Sequence, residues 1–336
     1  MRAYVVEKGA DSLDGLTQVE MERPSAGPGE VLVRMRAAAL NYRDQAIVAG
    51  KYIGGSVPRD TIPLSDGAGE VEAVGEGVSR FKPGDRVITA FFANWSEGPP
   101  PAKPAALGSP FDGALAEYRV FPEAGLAAAP PDLSFEEAAT LTCAGSTAWQ
   151  GLVIRAGIKP GQTVLCLGTG GVSIYGLQIA KMAGAKVIIT SSSDDKLDRA
   201  RKLGADATIN YAKTPEWQDE VMRLTAGRGV DIVVEAVGPA TLVKSYQCVA
   251  YRGQILLIGV IGAPGEGLFP HPLMFKGATL HGLFVGPRVD LEGLAQAMTV
   301  NGMRPVVDKV FPFDQAREAY EYEFSGKHFG KVAIAI

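Results

Sequence analysis

The chain is poor in the residues that build metal centres and disulfide frameworks. Three cysteines, Cys143, Cys166 and Cys248, and three histidines, His271, His281 and His328, are scattered over 336 residues. An odd, dispersed set of cysteines gives no disulfide framework, and no Cys or His pair stands at metal-ligand spacing, so a structural zinc is not expected. Long apolar runs are missing as well, with no stretch of about 18 residues able to span a bilayer. There is no surplus of positive charge, since 33 Lys and Arg stand against 37 Asp and Glu for a net charge of −4. The cations are spread out, which argues against a nucleic-acid partner. The opening residues, Met1-Arg2-Ala3-Tyr4-Val5-Val6-Glu7-Lys8, meet charges too early for a secretory signal, and a cytoplasmic protein is expected.

What is present is the balance of an ordinary globular chain, 46% hydrophobic and 21% charged, long enough for two domains rather than one core. Its organising stretch is 163–211. Residues 163–167 (TVLCL) are an apolar run of strand length, followed by Gly168-Thr169-Gly170-Gly171-Val172-Ser173, a helically spaced segment to residue 184, and a second run at 186–190 (KVIIT). This is a βαβ unit. Gly168 allows a tight turn, and Gly170 allows backbone N–H groups at a helix N-terminus to approach a diphosphate. Ser173 stands where a third glycine would bring the helix against the strand, and its side chain lets the helix pack near but less closely. A glycine triplet alone fits an ordinary turn equally well; the flanking strand, helix and strand turn the reading to dinucleotide binding, with Gly168, Thr169, Gly170, Gly171 and Val172 as its residues.

The end of the second strand bears on which dinucleotide. An NAD site places an acid about 20 residues beyond the first glycine, to accept from the ribose hydroxyls. Here the strand runs into Thr190-Ser191-Ser192-Ser193, a hydroxyl cluster suited to a 2′-phosphate, with Lys196 one turn later to add charge. The competing reading makes the serines helix caps, and Asp194 and Asp195 keep NAD open. NADP(H) is the preferred cofactor.

Before this unit, residues 1–130 read as short strands with glycine and proline turns, which suggests a small barrel. A short helix over 42–48 follows Asn41 and is closed by Gly50. Residues 94–110 are rich in Pro, Gly and Ala and read as a loop too polar and broken to be core. Ser134, with Glu136 and Glu137 behind it, opens a helix leading towards Trp149. After Tyr211, helices at 216–225 and 241–250 alternate with strands at 230–235 and 254–258, the pattern of a doubly wound parallel sheet. Ligands bind beyond the C-terminal ends of such strands, so Gly238, Gly259, Val260, Phe284 and Val285 are expected around the nicotinamide, with plain turn chemistry an equal reading of each. The tail predicts helices at 291–300 and 314–324 and a strand at 331–336.

With these segments in view, the chain resembles the medium-chain dehydrogenase/reductase superfamily, and within it the zinc-free quinone oxidoreductase-like branch. The resemblance runs through Arg2-Ala3-Tyr4, Pro28-Gly29-Glu30-Val31-Leu32-Val33, Asn41-Tyr42-Arg43-Asp44, Asp66-Gly67-Ala68-Gly69, Gly84-Asp85-Arg86-Val87, the glycine motif and Gly330-Lys331-Val332. It implies an α/β chain in which a Rossmann doubly wound parallel sheet, 131–284, is inserted into a GroES-like β-barrel made of 1–130 and 285–336. Zinc alcohol dehydrogenases of the superfamily carry Cys where Asn41 stands and His-Glu where Ser65-Asp66 stands. Cys143 alone falls at a ligand position, too few for the three protein ligands a catalytic zinc needs. No metal is therefore expected.

The resemblance further implies Asn41 and Tyr52 near the nicotinamide and substrate, and Lys196 and Tyr211 at the 2′-phosphate. Ala46 replaces a tyrosine frequent in that branch, which suggests a wider pocket. The expected activity is NADPH-dependent hydride transfer to a small-molecule quinone or α,β-unsaturated carbonyl. A zinc-independent alcohol or aldehyde dehydrogenase, an enoyl reductase and a non-catalytic NADPH-binding structural protein are the alternatives. A homodimer through the apolar run 278–285 is also expected.

Overall fold

The computed structural model describes residues 1–53, 55–260 and 271–336. They form two compact units, Met1–Ser146 with Gly286–Ile336, and Thr147–Val285. No helix among the described residues is long and apolar enough to cross a membrane.

The first unit opens with a hairpin of β1 (Arg2–Val6) and β2 (Leu16–Glu20). Its main sheet is built on β3 (Glu30–Ala39), whose apolar residues are buried along nearly the whole strand. The helix α1 (Tyr42–Val48) follows at once, with the Asn41 backbone N–H donating to Asp44 Oδ2 at 2.9 Å. Gly50 lies beyond its end at φ +63°, the left-handed conformation that glycine adopts without strain. β4 (Asp66–Val74) pairs antiparallel with β3, β5 (Arg86–Thr89) with β4, β6 (Tyr118–Pro122) with the other side of β3, and β7 (Leu126–Ala128) with β5. α2 (Phe135–Ala139) starts on a capping box, in which Ser134 Oγ accepts from the Glu137 N–H at 3.2 Å and the Ser134 N–H donates to Glu137 Oε2 at 2.9 Å. This helix packs on β3 and β4, so residues 131–146, assigned from sequence to the dinucleotide domain, group with the first unit.

The second unit begins within α3 (Ser146–Trp149). Its strands are β8 (Thr163–Cys166), β9 (Lys186–Ser191), β10 (Ala207–Asn210), β11 (Val230–Glu235), β12 (Val249–Leu257) and β13 (Thr279–Gly282), ordered β10-β9-β8-β11-β12-β13 and all parallel. The helices between them are α4 (Gly171–Met182), α5 (Asp194–Lys202), α6 (Trp217–Leu224), α7 (Leu242–Cys248) and α8 (His271–Lys276). Near-continuous Val, Ile and Leu in β8, β9 and β11 is what a strand covered on both faces requires. The expected helix over 241–250 ends two residues early, because Val249 already pairs with Val230 in the sheet.

The tail supplies α9 (Arg288–Asn301), β14 (Val307–Pro312), α10 (Ala316–Phe324) and β15 (Lys331–Ala335). β15 pairs antiparallel with β3, Ala333 opposite Ala39, and β14 pairs with β15, so the tail extends the first unit's sheet. The expectation for 94–110 needs correction, since Trp95, Ala105, Ala106 and Leu107 are buried. The loop can enter the core because its backbone groups find partners. Ala93 N–H donates to Ala105 O and Leu107 N–H to Phe91 O, while the Asn94 amide bonds Lys103 O and the Ala105 N–H.

Two glycines at the ends of β11 and β12 show how tightly the second unit is packed. A Cβ on Gly238 would lie 2.4 Å from Gly259 O, and one on Gly259 would lie 2.3 Å from the Ala236 carbonyl carbon. Backbone cannot step aside as a side chain does. Gly259→Ala is expected to cost about 1–3 kcal/mol and lower the melting temperature by several degrees, checked by thermal unfolding. An unchanged midpoint would contradict this close approach.

Candidate functional site

In the parallel sheet the strand order reverses between β8 and β11, and the glycine turn leaves β8 at that point. Gly168 has φ +79°, and its N–H donates to Thr190 Oγ1 on the neighbouring strand at 3.1 Å. Gly170 is the N-cap of the twelve-residue α4. A Cβ on Gly168 or Gly170 would meet nothing within 4 Å. The protein's own packing does not demand glycine at Gly170, and the open space lies at the positive end of a helix, where a diphosphate fits. Ser173 is not a poorer third glycine as expected, because its Oγ donates to Leu167 O at 2.6 Å and ties the helix to the strand end. Close packing is supplied one turn later by Gly176, whose Cβ would lie 3.3 Å from Cys166 Sγ.

At the end of β9, Ser191 is buried and Ser192 exposed. Ser191 Oγ accepts from the Ser193 N–H at 3.3 Å, and Ser193 caps α5 by accepting from the Lys196 N–H. Two of the serines therefore shape the turn and cap the helix. The Tyr211 N–H donates to Ser191 O at 3.0 Å, which brings the exposed Tyr211 to the same corner. Asp194, the rival ribose ligand, is bonded by Lys213 and by Asn210 Nδ2, and these bonds hold its carboxyl below the usual range.

At the other strand ends, backbone crowds both glycines, Gly259 O against Gly238 and the Ala236–Val237 backbone against Gly259, so packing by itself requires glycine at each. Val260 and Phe284 are exposed, and Val285 is buried with φ +54°, a conformation that costs a β-branched residue about 1–3 kcal/mol. Sequence reasoning missed Glu235. This fully buried carboxylate accepts from the Val237 and Gly238 N–H groups, Thr241 Oγ1 and Ser245 Oγ, and so fixes the loop after β11.

In the first unit the candidate catalytic residues surround the start of α1. Arg43 is buried, its guanidinium 5.1 Å from the Tyr52 ring centroid and 4.7 Å from that of Phe91. It donates to Leu107 O at 2.9 Å and Ser109 O at 3.2 Å, so Tyr52 and the 94–110 loop are held by one side chain. Asn41 Oδ1 accepts from Lys331 Nζ at 2.6 Å, whereas Asn41 Nδ2 is buried without a hydrogen-bond partner. Lys331 also donates to Leu40 O and lies 3.5 Å from Asp66 Oδ2. Burial pushes the Asp44 carboxyl up to about 6 against the pull of Arg43, and pushes Glu323 up to about 7. Burial, then Asp66, raises the Cys143 thiol well above its ordinary range.

The superfamily's catalytic zinc does not fit here. Ser65 Oγ donates to Asp66 Oδ1 at 2.7 Å, and the oxygens of Asn41 and Asp66 that could face a metal already face an ammonium group. A dication placed among them would meet that positive charge with one thiol and no imidazole as soft donors. Among the described residues, no group of three or more His, Cys, Asp or Glu gathers in a way that could hold a metal.

A glycine turn at the switch point of a six-stranded parallel sheet is an arrangement that suits a dinucleotide, and the other unit is an antiparallel sheet to which the chain's own tail adds a strand pair. Comparison with known proteins narrows the class. A family model described as alcohol dehydrogenase GroES-like domain matches residues 27–131, and one described as zinc-binding dehydrogenase matches residues 171–299. A zinc-type alcohol dehydrogenase-like protein of Schizosaccharomyces pombe is 45% identical, with 99% of each chain covered. A chloroplastic quinone oxidoreductase of Triphysaria versicolor is 30% identical over 99% of this chain and 98% of its own. Among solved structures, an NAD-dependent alcohol dehydrogenase superposes with TM-score 0.92 at 35% identity over all of both chains. A quinone oxidoreductase of Pseudomonas syringae superposes with TM-score 0.83 at 29% identity, also over all of both. The chain belongs to the medium-chain dehydrogenase/reductase superfamily.

The open cradle separates ligand from packing. Gly170→Ala is expected to leave the melting temperature within about 2 °C of wild type, since its Cβ strikes nothing. Dinucleotide affinity is expected to fall about tenfold or more, because the methyl group occupies the phosphate's approach. Calorimetric titration and thermal unfolding of the same sample check both halves, and unchanged affinity refutes the cradle.

Proposed function

We propose that this oxidoreductase uses NADP(H) to reduce acceptors that are already electrophilic, quinones or α,β-unsaturated carbonyls, without a bound metal. The observation that carries this reading is the buried Asn41 Nδ2 with no partner. An unsatisfied buried donor costs about 1–3 kcal/mol, and an acceptor oxygen of the substrate would satisfy it. When bound, the cofactor supplies the hydride. Asn41 donates a hydrogen bond to the oxygen on which negative charge collects, Tyr52 forms an aromatic wall held by Arg43, and water returns the proton. One hydrogen-bond donor is weaker help than a Lewis-acid metal, so substrates that carry their own activation suit the residues better than simple ketones.

Preference for the phosphorylated cofactor is supported by Ser191, Ser192, Ser193 and Lys196, with Tyr211 beside them, and by the engagement of Asp194 with Lys213 and Asn210. The similarity to proteins described as alcohol dehydrogenases supports a second reading, reversible alcohol or aldehyde oxidoreduction without zinc. NADPH-oxidation assays over quinones, enones and aldehydes distinguish the two. We also propose a homodimer through β13. It is the edge strand of its sheet, with the exposed Met274, Phe275 and Phe284 close to it in sequence, and a twofold mate would cover both the backbone groups and the apolar side chains.

Wild type is expected to bind NADPH more tightly than NADH. Lys196→Ala should weaken NADPH roughly ten- to a hundredfold, the loss of a charge-assisted bond of about 1.5–3 kcal/mol, and leave NADH nearly unchanged. Ser191→Asp should repel the phosphate and invert the preference. Dissociation constants of both cofactors for the three proteins decide this, and equal weakening of both by Lys196→Ala refutes the phosphate site. Native mass spectrometry checks the remaining two proposals, with a dimer carrying no stoichiometric zinc expected. A monomer refutes the β13 interface, and one zinc per chain whose removal abolishes turnover refutes metal independence.

A further inference from the structure

We propose that Lys331 is a positioning residue that fixes the Asn41 amide with its N–H bonds turned towards the substrate, a role that no sequence motif assigned to it. The inference rests on the reading of Asn41 as the donor to the acceptor's oxygen. Lys331 lies on β15 with 3% exposure, and its Nζ has three acceptors, Leu40 O, Asn41 Oδ1 at 2.6 Å and Asp66 Oδ2 at 3.5 Å. An ammonium group has three N–H donors, so these contacts use all of them and leave none for a substrate. Lys331 therefore acts through Asn41 rather than on the reacting atoms.

The chemistry of the contact decides the orientation of the amide. An ammonium donates only, so the Asn41 atom that faces it is the oxygen, and Nδ2 must point the other way. That is the atom left buried and unpartnered. Because Lys331 grips Leu40 O and the next residue's side chain together, rotating the amide would break a charge-assisted bond while the backbone anchor stayed in place. The positive charge on Oδ1 also draws electron density from the amide, which strengthens Nδ2–H as a donor.

Charge balance confines the lysine to this place. Asp66 is fully buried, and its other oxygen accepts from Ser65 Oγ, so Lys331 is its cationic partner. Other charged and titratable groups packed around the start of α1 include the Arg43 and Asp44 pair, Tyr52, Glu323 and Tyr320 on α10 and the Cys143 thiol. Where zinc relatives of the superfamily have a metal held by side chains, this chain has one fixed positive charge and one neutral amide. The amide suits that pairing, because it accepts from the lysine and still donates to the substrate. A carboxylate at Asn41 would accept twice and donate nothing.

A double-mutant cycle tests the assignment, with NADPH and a quinone or enone shown to be turned over by wild type. Asn41→Ala is expected to lower kcat roughly a hundredfold, the scale of one lost oxyanion donor. Lys331→Met is expected to lower kcat roughly tenfold or more with a smaller change in acceptor KM, and to lower it no further in the Asn41→Ala background. Unchanged circular dichroism and a cooperative thermal unfolding transition in all four proteins establish that they are folded. Independent, multiplicative losses overturn the positioning role, as does a silent Lys331→Met beside a damaging Asn41→Ala. A silent Asn41→Ala instead overturns the reading of Asn41, and the inference with it. If Lys331→Met does not fold, Lys331→Gln, which keeps a neutral donor, takes its place in the cycle with a partial loss expected. Wild type alone supplies a further check by NMR. The Asn41 side-chain N–H resonances, identified by their loss in Asn41→Ala, are expected to be locked and slow to exchange with solvent, and free rotation of the amide overturns the inference.

Discussion

A buried ammonium facing a buried carboxylate sets the terms for the first unit. Lys331 and Asp66 are 265 residues apart, each almost without solvent exposure, and they meet at 3.5 Å. Charge taken from water is tolerated only where a partner and further hydrogen bonds compensate it, and removing one member of such a pair costs about 3–5 kcal/mol. The tail must therefore return to the first strands. β15 does so by pairing with β3, where Ala333 to Ala335 oppose Ala39 to Ala37. The same pairing carries Lys331 to the carbonyl of Leu40 and the amide of Asn41, so one constraint joins the tail to the sheet and arranges the candidate site.

Glycine carries a different constraint in the second unit, and the structure divides its glycines into two kinds. Gly238, Gly259 and Gly176 are glycine because backbone or a buried side chain lies where a Cβ would go. Gly168 and Gly170 have empty space in that direction, although Gly168 also needs its positive φ. Identical residues thus answer to packing in one place and leave open space in the other, where the proposed dinucleotide would approach. The distinction rests on what surrounds each glycine in space, which spacing along the chain does not express. For that reason spacing along the chain could single out the glycines at 168–171, while the backbone that crowds Gly238 and Gly259 was not visible in it.

The fold was legible where one local signal decided the outcome. Apolar runs at 163–167 and 230–235 became β8 and β11, and the segment 42–48 became α1 with its bounds unchanged. It was less legible where distant partners decide. Residues 94–110 look like solvated loop by composition, but the Asn94 amide and paired backbone groups carry part of them into the core. Val249 ends a helix early because a strand nineteen positions back claims its backbone. Glu235 and Lys331 were opaque for the same reason, since a lone charge in an apolar strand shows that something must neutralise or bond it without saying what. Of the candidate site, the serines, Lys196 and Asn41 could be named from sequence. The orientation of Asn41 could not, because it depends on a side chain 290 positions away.

The proposed chemistry follows from how strong a single fixed donor is. Removing one oxyanion donor from an enzyme costs about 2.7–4 kcal/mol, which sets the scale of what Asn41 can contribute. A zinc ion polarises a carbonyl by several kcal/mol and also lowers the pKa of a bound alcohol or water, and an amide N–H does only the first of these, and less of it. On the proposed reading, the deficit must be made up by the substrate. Quinones gain aromatic stabilisation on reduction, and conjugated enones spread the incoming charge onto an oxygen that needs only one good hydrogen bond. On that reading the Lys331 ammonium would strengthen that bond without titrating a group that touches the substrate. The chain would then trade the breadth of metal-assisted carbonyl chemistry for a pre-oriented donor, and its choice of substrates would be limited to those that bring their own electrophilicity.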